Sequence, residues 1–249
     1  MTTRAWPCLA AAILICGSLR LSLLAQQIDE STWGKNSAGV ELATHEGPRE
    51  RASSGTVLIY NILGRGFPAD KTYDLWFWTL GKKPAKAMAG VSFDKRGVLV
   101  CSGKPGSCKG DGADDPINIK ATAMLGEPKR FGVISTDGKI AGFAEAVPFP
   151  VEAKDKNCKL SVVRLTQLAD SLDVRGSGFI PHETLTVKES FSGRDLVKNP
   201  TVAADGTWHE TVAVREPGWD SGTAAFNAAG KACSVNITFH WGNGSNQQQ

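Results

Sequence analysis

The sequence predicts an all-β protein built from two small sandwich domains in tandem, preceded by a signal peptide. Three observations lead to this prediction. A set of short motifs occurs twice in the same order, apolar residues alternate with polar ones in many short segments, and glycine, proline and aspartate separate these segments. Many short strands between such turns are typical of sandwiches and barrels. We find no helical stripe of apolar residues beyond the N-terminus.

The N-terminus has the layout of a secretory signal peptide. Arg4 comes first, an uncharged apolar run from Ala5 to Ile15 follows, and the small residue Ala25 closes the segment. We therefore expect residues 1–25 to be removed on export. Arg20 interrupts the apolar run before it reaches the ~20 residues that a membrane-spanning helix needs. We expect the mature chain to lack a membrane span and to be periplasmic, on the cell surface or extracellular.

The charge of the expected mature chain argues against nucleic acid as a partner. Without residues 1–25, 26 basic residues stand against 25 acidic ones, and basic residues cluster only in short pairs such as Lys82-Lys83. Binding to a phosphate backbone requires a clustered basic surface. The remaining length suits two domains of about 100 residues each.

The chain is expected to divide into four parts after the signal peptide. The first domain is predicted at residues 37–150, a charged connector at 151–157, the second domain at 158–242 and a flexible tail at 243–249. The connector is too short to let two domains move far apart, so we expect a semi-rigid rod.

The internal repeat contains a glycine-rich motif. The motif reads Gly64-Arg65-Gly66-Phe67-Pro68 in the first half and Gly176-Ser177-Gly178-Phe179-Ile180-Pro181 in the second. Strand-like segments flank it in both halves. Each half then contains an Asp-containing turn and closes with a predicted hairpin. Asp and Gly favour such turns because they tolerate a left-handed backbone. The same order of landmarks in both halves indicates a duplication.

Four cysteines remain after the expected cleavage, and an even number in an exported chain indicates two disulfides. Four cysteines allow three pairings. We favour Cys101–Cys108, which closes a short loop, and Cys158–Cys233, which ties together the ends of the second domain. In the chain-entropy model the longer bridge adds about 4 kcal/mol to the free energy of unfolding. A zinc site is the alternative, but no Cys-x-x-Cys pair or nearby histidine supplies the usual ligand spacing.

The glycine motif resembles that of bacterial immunoglobulin-like modules of the IPT/TIG kind, whose early strands often carry Gly-x-Gly-Phe-x-Pro. The match is close at Gly176–Pro181 and looser in the first half, where one residue is missing between Phe67 and Pro68. The resemblance implies immunoglobulin-like sandwiches outside the cytoplasm that serve as spacer, adhesion or binding modules. It brings no catalytic residues to this chain.

Motifs for catalysis are incomplete in this sequence. His182-Glu183 and His209-Glu210 begin like a zinc-protease motif, but both lack the second histidine one helical turn later. No Gly-x-Ser-x-Gly pentapeptide marks a serine nucleophile. No spacing marks a catalytic base among the four histidines His45, His182, His209 and His240. We therefore expect a non-enzymatic protein without a cofactor, and a secreted carbohydrate-binding accessory protein or cryptic hydrolase is the alternative.

One loop is a candidate calcium site. The segment Asp111–Asp115 gathers three carboxylates beside the short predicted disulfide. Calcium favours such oxygen-rich loops, although the EF-hand order of ligands and its terminal glutamate are missing. A solvated acidic turn is the alternative interpretation.

Aromatic residues provide the candidate contacts for an unknown protein or glycan partner. Tyr73, Trp76 and Trp78 crowd one predicted strand. Either a tryptophan of this strand fills the sandwich core, as in immunoglobulin-like domains, or an indole face is exposed and offers a platform for a sugar ring or a protein. The exposure of the two indoles decides between these hypotheses.

Overall fold

A computed structural model describes residues 33–52, 55–102, 108 and 115–243 of the chain. Within these residues it contains seventeen strands and no helix, and the sheets are antiparallel. Nowhere in the described chain is there a helix with the length and apolarity needed to cross a membrane. The predicted all-β class with sandwich domains is confirmed. The predicted signal peptide, residues 111–114 of the candidate calcium loop and residues 244–249 lie outside the described residues.

The first domain is a sandwich of two sheets. One sheet has the order β6-β5-β4-β8-β9, and the other joins β1, β2 and β7 to the long strand β3. The strands are β1 (Glu41–Glu46), β2 (Glu50–Ala52), β3 (Gly55–Arg65), β4 (Tyr73–Trp78), β5 (Ala85–Phe93), β6 (Leu99–Cys101), β7 (Ile119–Ala121), β8 (Lys129–Ser135) and β9 (Ala141–Ala146).

The second domain has the same two-layer construction. Its sheets have the orders β10-β11-β12-β15 and β14-β13-β16-β17. The strands are β10 (Val151–Asp155), β11 (Cys158–Arg164), β12 (Ser171–Ser177), β13 (Thr186–Phe191), β14 (Arg194–Lys198), β15 (Trp208–Ala213), β16 (Ser221–Ala229) and β17 (Ser234–Gly242).

Each sandwich has its own apolar core. Buried side chains of β3 meet those of β4 and β8 in the first domain, and buried side chains of β11 and β12 meet those of β13, β16 and β17 in the second. The pattern arises from strands whose alternate residues are buried, as along β17, because successive side chains point to opposite faces of a sheet. Two separate cores of this kind agree with the repeat found in the sequence.

The duplicated motif occupies the same place in both domains. Gly66 and Gly178 have φ angles of 76° and 78°. A Cβ atom on Gly66 would overlap the carbonyl oxygen of Gly39, and one on Gly178 would overlap that of Asn157. Both of these carbonyls lie just before the strand that opens the repeat, β1 or β11. The backbone approaches closely at equivalent points, so the tandem repeat extends to the three-dimensional structure.

Residues 151–157 do not form a connector, and this prediction was wrong. Val151–Asp155 form β10, which pairs antiparallel with β11. Val151 and Ala153 pack against the second core, while Glu152 between them is exposed. The charges that suggested a linker therefore belong to the outer face of an edge strand, where charged side chains also discourage pairing with other molecules.

Both predicted disulfides are present. Cys101 and Cys108 are bonded with their Cα atoms 5.5 Å apart, and Cys158 and Cys233 with theirs 6.2 Å apart. Cys158 opens β11 and Cys233 directly precedes β17, so the second bridge joins the two sheets of the second domain at one end.

We predict that Gly178→Ala destabilises the protein by about 2 kcal/mol or more, because it combines a left-handed backbone with an overlap between backbone atoms. Gly218 is the matched control, since its φ is 87° but a Cβ there would meet no atom within 4 Å. Gly218→Ala should cost only about 1 kcal/mol. Urea unfolding of both variants measures the difference, and equal costs would contradict the importance of the close approach.

Candidate binding site at the junction of the domains

Strand β4 presents its aromatic residues on two faces. Tyr73, Leu75 and Phe77 point into the first core. The hydroxyl of Tyr73 donates a hydrogen bond of 2.8 Å to the carbonyl of Pro68, and burial raises the pKa of Tyr73 to about 12. With no exposed surface, Tyr73 has nothing to offer a ligand. Its position as a candidate contact is corrected: it is a core residue, because it shares a face with Leu75.

The two tryptophans of β4 lie on the outer face of the sheet. Trp76 is only 8% exposed, and the ammonium of Lys86 lies 5.5 Å from the centre of its ring. Trp78 is half-buried, and its Nε1–H donates a hydrogen bond of 2.6 Å to the carbonyl of Lys82. Of the three aromatic residues that the sequence singled out, Trp78 is therefore the one that reaches an open cleft.

Trp33 is a neighbour of Trp78 that sequence reasoning missed. The ring centres of Trp33 and Trp78 are 5.4 Å apart at an edge-on angle of 71°, and Trp33 also contacts Phe143 at 5.0 Å. Asn36 Oδ1 accepts a hydrogen bond of 2.8 Å from the backbone N–H of Phe143. Residues before β1 thus lie against the edge strand β9. Gly132, in the middle of β8, is the sequence feature that could have predicted this contact, because a glycine inside a strand often marks the close approach of another group. A Cβ at Gly132 would come within 3.2 Å of Trp33.

Arg130 links the aromatic residues to the second domain. Its guanidinium lies 4.6 Å from the centre of the Trp78 ring and donates a hydrogen bond of 2.8 Å to one oxygen of Glu145. The other oxygen of Glu145 accepts a hydrogen bond of 3.1 Å from Arg175 of the second domain. Together these side chains border a cleft of about 550 Å³, the aromatic cleft, which is lined by Trp33, Gly34, Trp78, Arg130, Phe143, Ala144, Glu145 and Leu165.

The two arginines control the ionisation of Glu145. Burial alone would raise the pKa of this carboxyl, but the hydrogen bonds and charges of Arg130 and Arg175 outweigh burial and lower the pKa below its usual value. Glu145 is therefore a charged bridge between the domains at neutral pH.

A second cleft lies on the outer face of the sheet β10-β11-β12-β15. Glu152, Ser161, Arg175 and His209 form a row across its four strands, since each is paired with the next in the strand register. Val147 and Pro150, at the end of the first domain, form part of its wall. This polar cleft has a volume of about 600 Å³. Glu145 borders the aromatic cleft and its partner Arg175 borders the polar one, so one ion pair lies between the two clefts.

Asp173 lies beside this row on the same face. Arg175 Nε donates 2.7 Å to its Oδ2. Its Oδ1 is shielded from solvent, accepts no hydrogen bond from any described residue, and lies 3.9 Å from His209 Nδ1. Asp173 was not singled out by the sequence, because an isolated aspartate in a strand carries no motif.

The remaining histidines do not assemble with these residues. His182 lies in a turn with a φ of 63°. His240 Nδ1 is 3.0 Å from Thr223 Oγ1, and both residues lie on the sheet β14-β13-β16-β17, away from the polar cleft. Across the described chain, no three side chains of the metal-binding types gather in a way that could hold a metal ion. The two truncated zinc-protease motifs lie in a turn and in β15, so they share no site.

Comparisons with known proteins match neither a family model nor a curated protein. Among solved structures, the chain is similar to a tetra-tandem repeat from the extending region of a large adhesion protein, with 12% identity, a TM-score of 0.28 and coverage of 81% of this chain and 49% of that one. The chain thus spans about half the length of that structure.

Two further solved structures are similar at the same level. One is from a 1.5-MDa bacterial ice-binding adhesin, with 13% identity, a TM-score of 0.22 and coverage of 83% of this chain and 65% of that one. The other is a DUF3823 family protein from Bacteroides ovatus, with 9% identity, a TM-score of 0.22 and coverage of 82% and 98%. Similarities this weak say nothing about what the present chain binds.

We predict that the stability supplied by Glu145 disappears in acid. A carboxyl whose pKa is lower in the folded state stabilises the fold above its unfolded pKa, here near 4.5, and loses that contribution as pH falls through the folded pKa. Glu145→Gln should therefore lower the free energy of unfolding by about 1 kcal/mol at pH 7 and by almost nothing at the acid end.

Glu50→Gln is the control for this experiment, because the ion pair of Glu50 with Lys120 is half-exposed and should contribute less than about 0.5 kcal/mol. Urea unfolding across the acid range measures both variants. A Glu145→Gln effect that does not change with pH would contradict the interpretation.

Proposed function

We propose that this chain is an exported, non-enzymatic module in which two sandwich domains are held as one rigid unit, and that it acts as a spacer or adhesion module presenting the junction clefts to a partner. The observation that carries the proposal is a buried, charged contact between the domains. Interfaces between domains of one chain are usually mobile unless they are large and well packed. A junction that fixes the angle between domains is what a spacer requires.

Arg164 is the centre of this contact. It lies at the end of β11, is fully buried, and donates 3.0 Å from its guanidinium to the carbonyl of Gln167. The same guanidinium lies 3.2 Å from the sulfur of Met124 in the first domain. The backbone N–H of Arg164 donates 2.9 Å to the carbonyl of Gly126, also in the first domain. One residue thus binds the other domain through both backbone and side chain.

A buried ion pair lies on the first-domain side of the junction. Lys129 and Glu127 are 2.5 Å apart, and both side chains are 5% exposed. Glu127 also accepts a hydrogen bond of 2.8 Å from the backbone N–H of Met124, which orients the loop that meets Arg164. Burial lowers the pKa of Arg164, and the charge of Glu127 opposes part of that effect. Buried charges of this kind tolerate little displacement, because separating them exposes each to an apolar surrounding.

Two further side-chain contacts join the domains. Gln167 donates 3.2 Å to the carbonyl of Leu80 in the first domain, and Glu145 bonds Arg175. The Arg164–Gln167 group and the Glu145–Arg175 bond join the domains at two places, so neither contact can act as a free pivot, which supports a fixed angle between the domains.

Export is supported by the cysteine chemistry. Two disulfides are typical of chains that fold in an oxidising compartment, and the N-terminal sequence has the layout of a signal peptide. The Gly176–Pro181 motif adds the resemblance to IPT/TIG-like modules of bacterial envelope proteins.

We predict that both domains of the mature chain share one molecular alignment tensor in residual dipolar coupling measurements. Arg164→Met should separate the two tensors and lower the free energy of unfolding by about 2 kcal/mol. Arg194→Met is the control, because it removes a surface ion pair between Arg194 of β14, on the far sheet, and Glu216, and it should leave a single tensor. Different tensors for the two domains of the wild-type chain would refute the rigid module, whatever the variants do.

The proposal also predicts where the protein is found. When the full-length chain is expressed in a bacterium, the mature form should begin at Gln26, leave the cytoplasm, and react with thiol reagents only after reduction. N-terminal sequencing and alkylation of cell fractions measure this. An uncleaved cytoplasmic chain whose six cysteines all react without reduction would contradict export.

A further inference from the structure

We infer that the side chains of Lys198 and Glu210 condense to an amide bond inside the second domain, with Glu189 relaying the protons. The bond would tie the two sheets of this domain together on the side away from the Cys158–Cys233 bridge. It goes beyond a spacer role, and it does not depend on the fixed junction because all three residues belong to the second domain. Three features support it: a lysine held between two carboxylates, a largely apolar surrounding, and an acid that can carry protons.

The three residues meet at the open side of the second sandwich. Glu189 lies on β13, Lys198 ends β14 and Glu210 lies on β15. Because β14 and β15 are edge strands of different sheets, the lysine reaches from one sheet to the other. Its Nζ contacts Glu210 Oε1 directly and lies 3.0 Å from Glu189 Oε1. The amine is thus held against the carboxyl group that it would attack.

The surrounding of this cluster is largely apolar, because all three residues occupy core-facing strand positions. Their partners in the strand register include buried members of the second core: Val174, Val187 and Phe226. The side chain of Glu189 is itself fully buried, and its Oε2 accepts no hydrogen bond from any described residue. Two carboxylates and one ammonium leave an excess of negative charge, which is costly in such a place. Forming the amide removes one charge of each sign.

Glu189 is suited to carry the protons that the reaction moves. Burial, together with the charge of Glu210, raises the pKa of Glu189 despite its bond to Lys198. Burial would lower the pKa of Lys198, but its bonds to the two carboxylates outweigh burial and raise this pKa. The lysine is therefore an ammonium in the cluster, and it can attack only after passing a proton to Glu189.

The reaction releases one water and needs no other reactant. Lys198 Nζ gives a proton to Glu189 and attacks Cδ of Glu210, so that a C–N bond forms. A C–O bond of Glu210 then breaks, and the departing oxygen takes the proton held by Glu189 and a second proton from the nitrogen. The side chains of Lys198 and Glu210 are 38% and 22% exposed, so the water can leave. Groups held in contact within one molecule react as if at effective concentrations of about 10⁵ M or more.

Mass spectrometry of the purified mature chain tests the inference after both disulfides have been reduced. We expect the chain to weigh less than its sequence by one water. Trypsin should no longer cleave after Lys198, and Asp-N, which cleaves before Asp205, should release the peptides 195–204 and 205–219 still joined. A succinimide at Asp205-Gly206 also loses one water, but it would not hold these two peptides together.

Two variants make the test specific. Lys198→Arg keeps the charge but removes the amine, so its two peptides should separate. Glu189→Gln keeps the shape of the side chain but cannot accept a proton, and it should slow formation of the bond at least about tenfold. The joined fraction against time after a short pulse of expression measures this rate. Lys188→Arg, at an exposed position of β13, is the control and should form the bond as the wild-type chain does.

The first domain supplies an internal comparison. Lys129 and Glu127 are 2.5 Å apart and both are buried, but no second carboxylate bonds Lys129 among the described residues. Contact alone is therefore present there without the relay. Trypsin should still cleave after Lys129 in the denatured wild-type chain.

Three results would overturn the inference: wild-type peptides 195–204 and 205–219 that separate, a joined product in Lys198→Arg, or a bond that forms as fast in Glu189→Gln as in the wild-type chain. None of them depends on the angle between the domains, which the alignment tensors measure separately.

Discussion

The arrangement of this molecule depends on the burial of Arg164 against a loop of the first domain. A guanidinium without solvent needs acceptors, and the chain supplies the carbonyl of Gln167 from its own domain while Met124 and Glu127 approach from the other. Because these groups must stay together, the sheets on either side keep a defined distance. Residues of both domains line each cleft, so the shape of both clefts depends on how the domains meet.

The fold could be predicted from the sequence wherever a local pattern has one physical meaning. Alternating burial, the Gly-x-Gly-Phe motif and the even number of cysteines each specify strands, turns and bridges. The segment 151–157 was misread because charge and short length describe both a linker and an edge strand. What separates the two is whether Val151 and Ala153 find a core to pack against, which is a tertiary property that no local pattern contains.

The candidate site was predictable only in part. Trp78 belongs to an aromatic cluster that is visible in the sequence, but Tyr73 in the same cluster faces the core, and only strand register separates the two. Trp33 is far along the chain from Trp78, and Arg175 of the second domain is far from Glu145 of the first. No spacing rule connects such residues, because they meet only when the folded chain packs. The strand glycine Gly132 was the one local sign that another group approaches closely there.

The bridge between Cys158 and Cys233 determines how a pulling force would pass through the second domain. The two residues are separated by 75 positions, and most of the second core lies between them, while the core residues of β17 follow Cys233. Tension that enters through β10 would cross from one sulfur to the other and leave along β17, so the chain between them would carry none of the load. Under mechanical stretching, β10 would separate from β11 and β17 from β16, while the chain enclosed by the bridge kept its length.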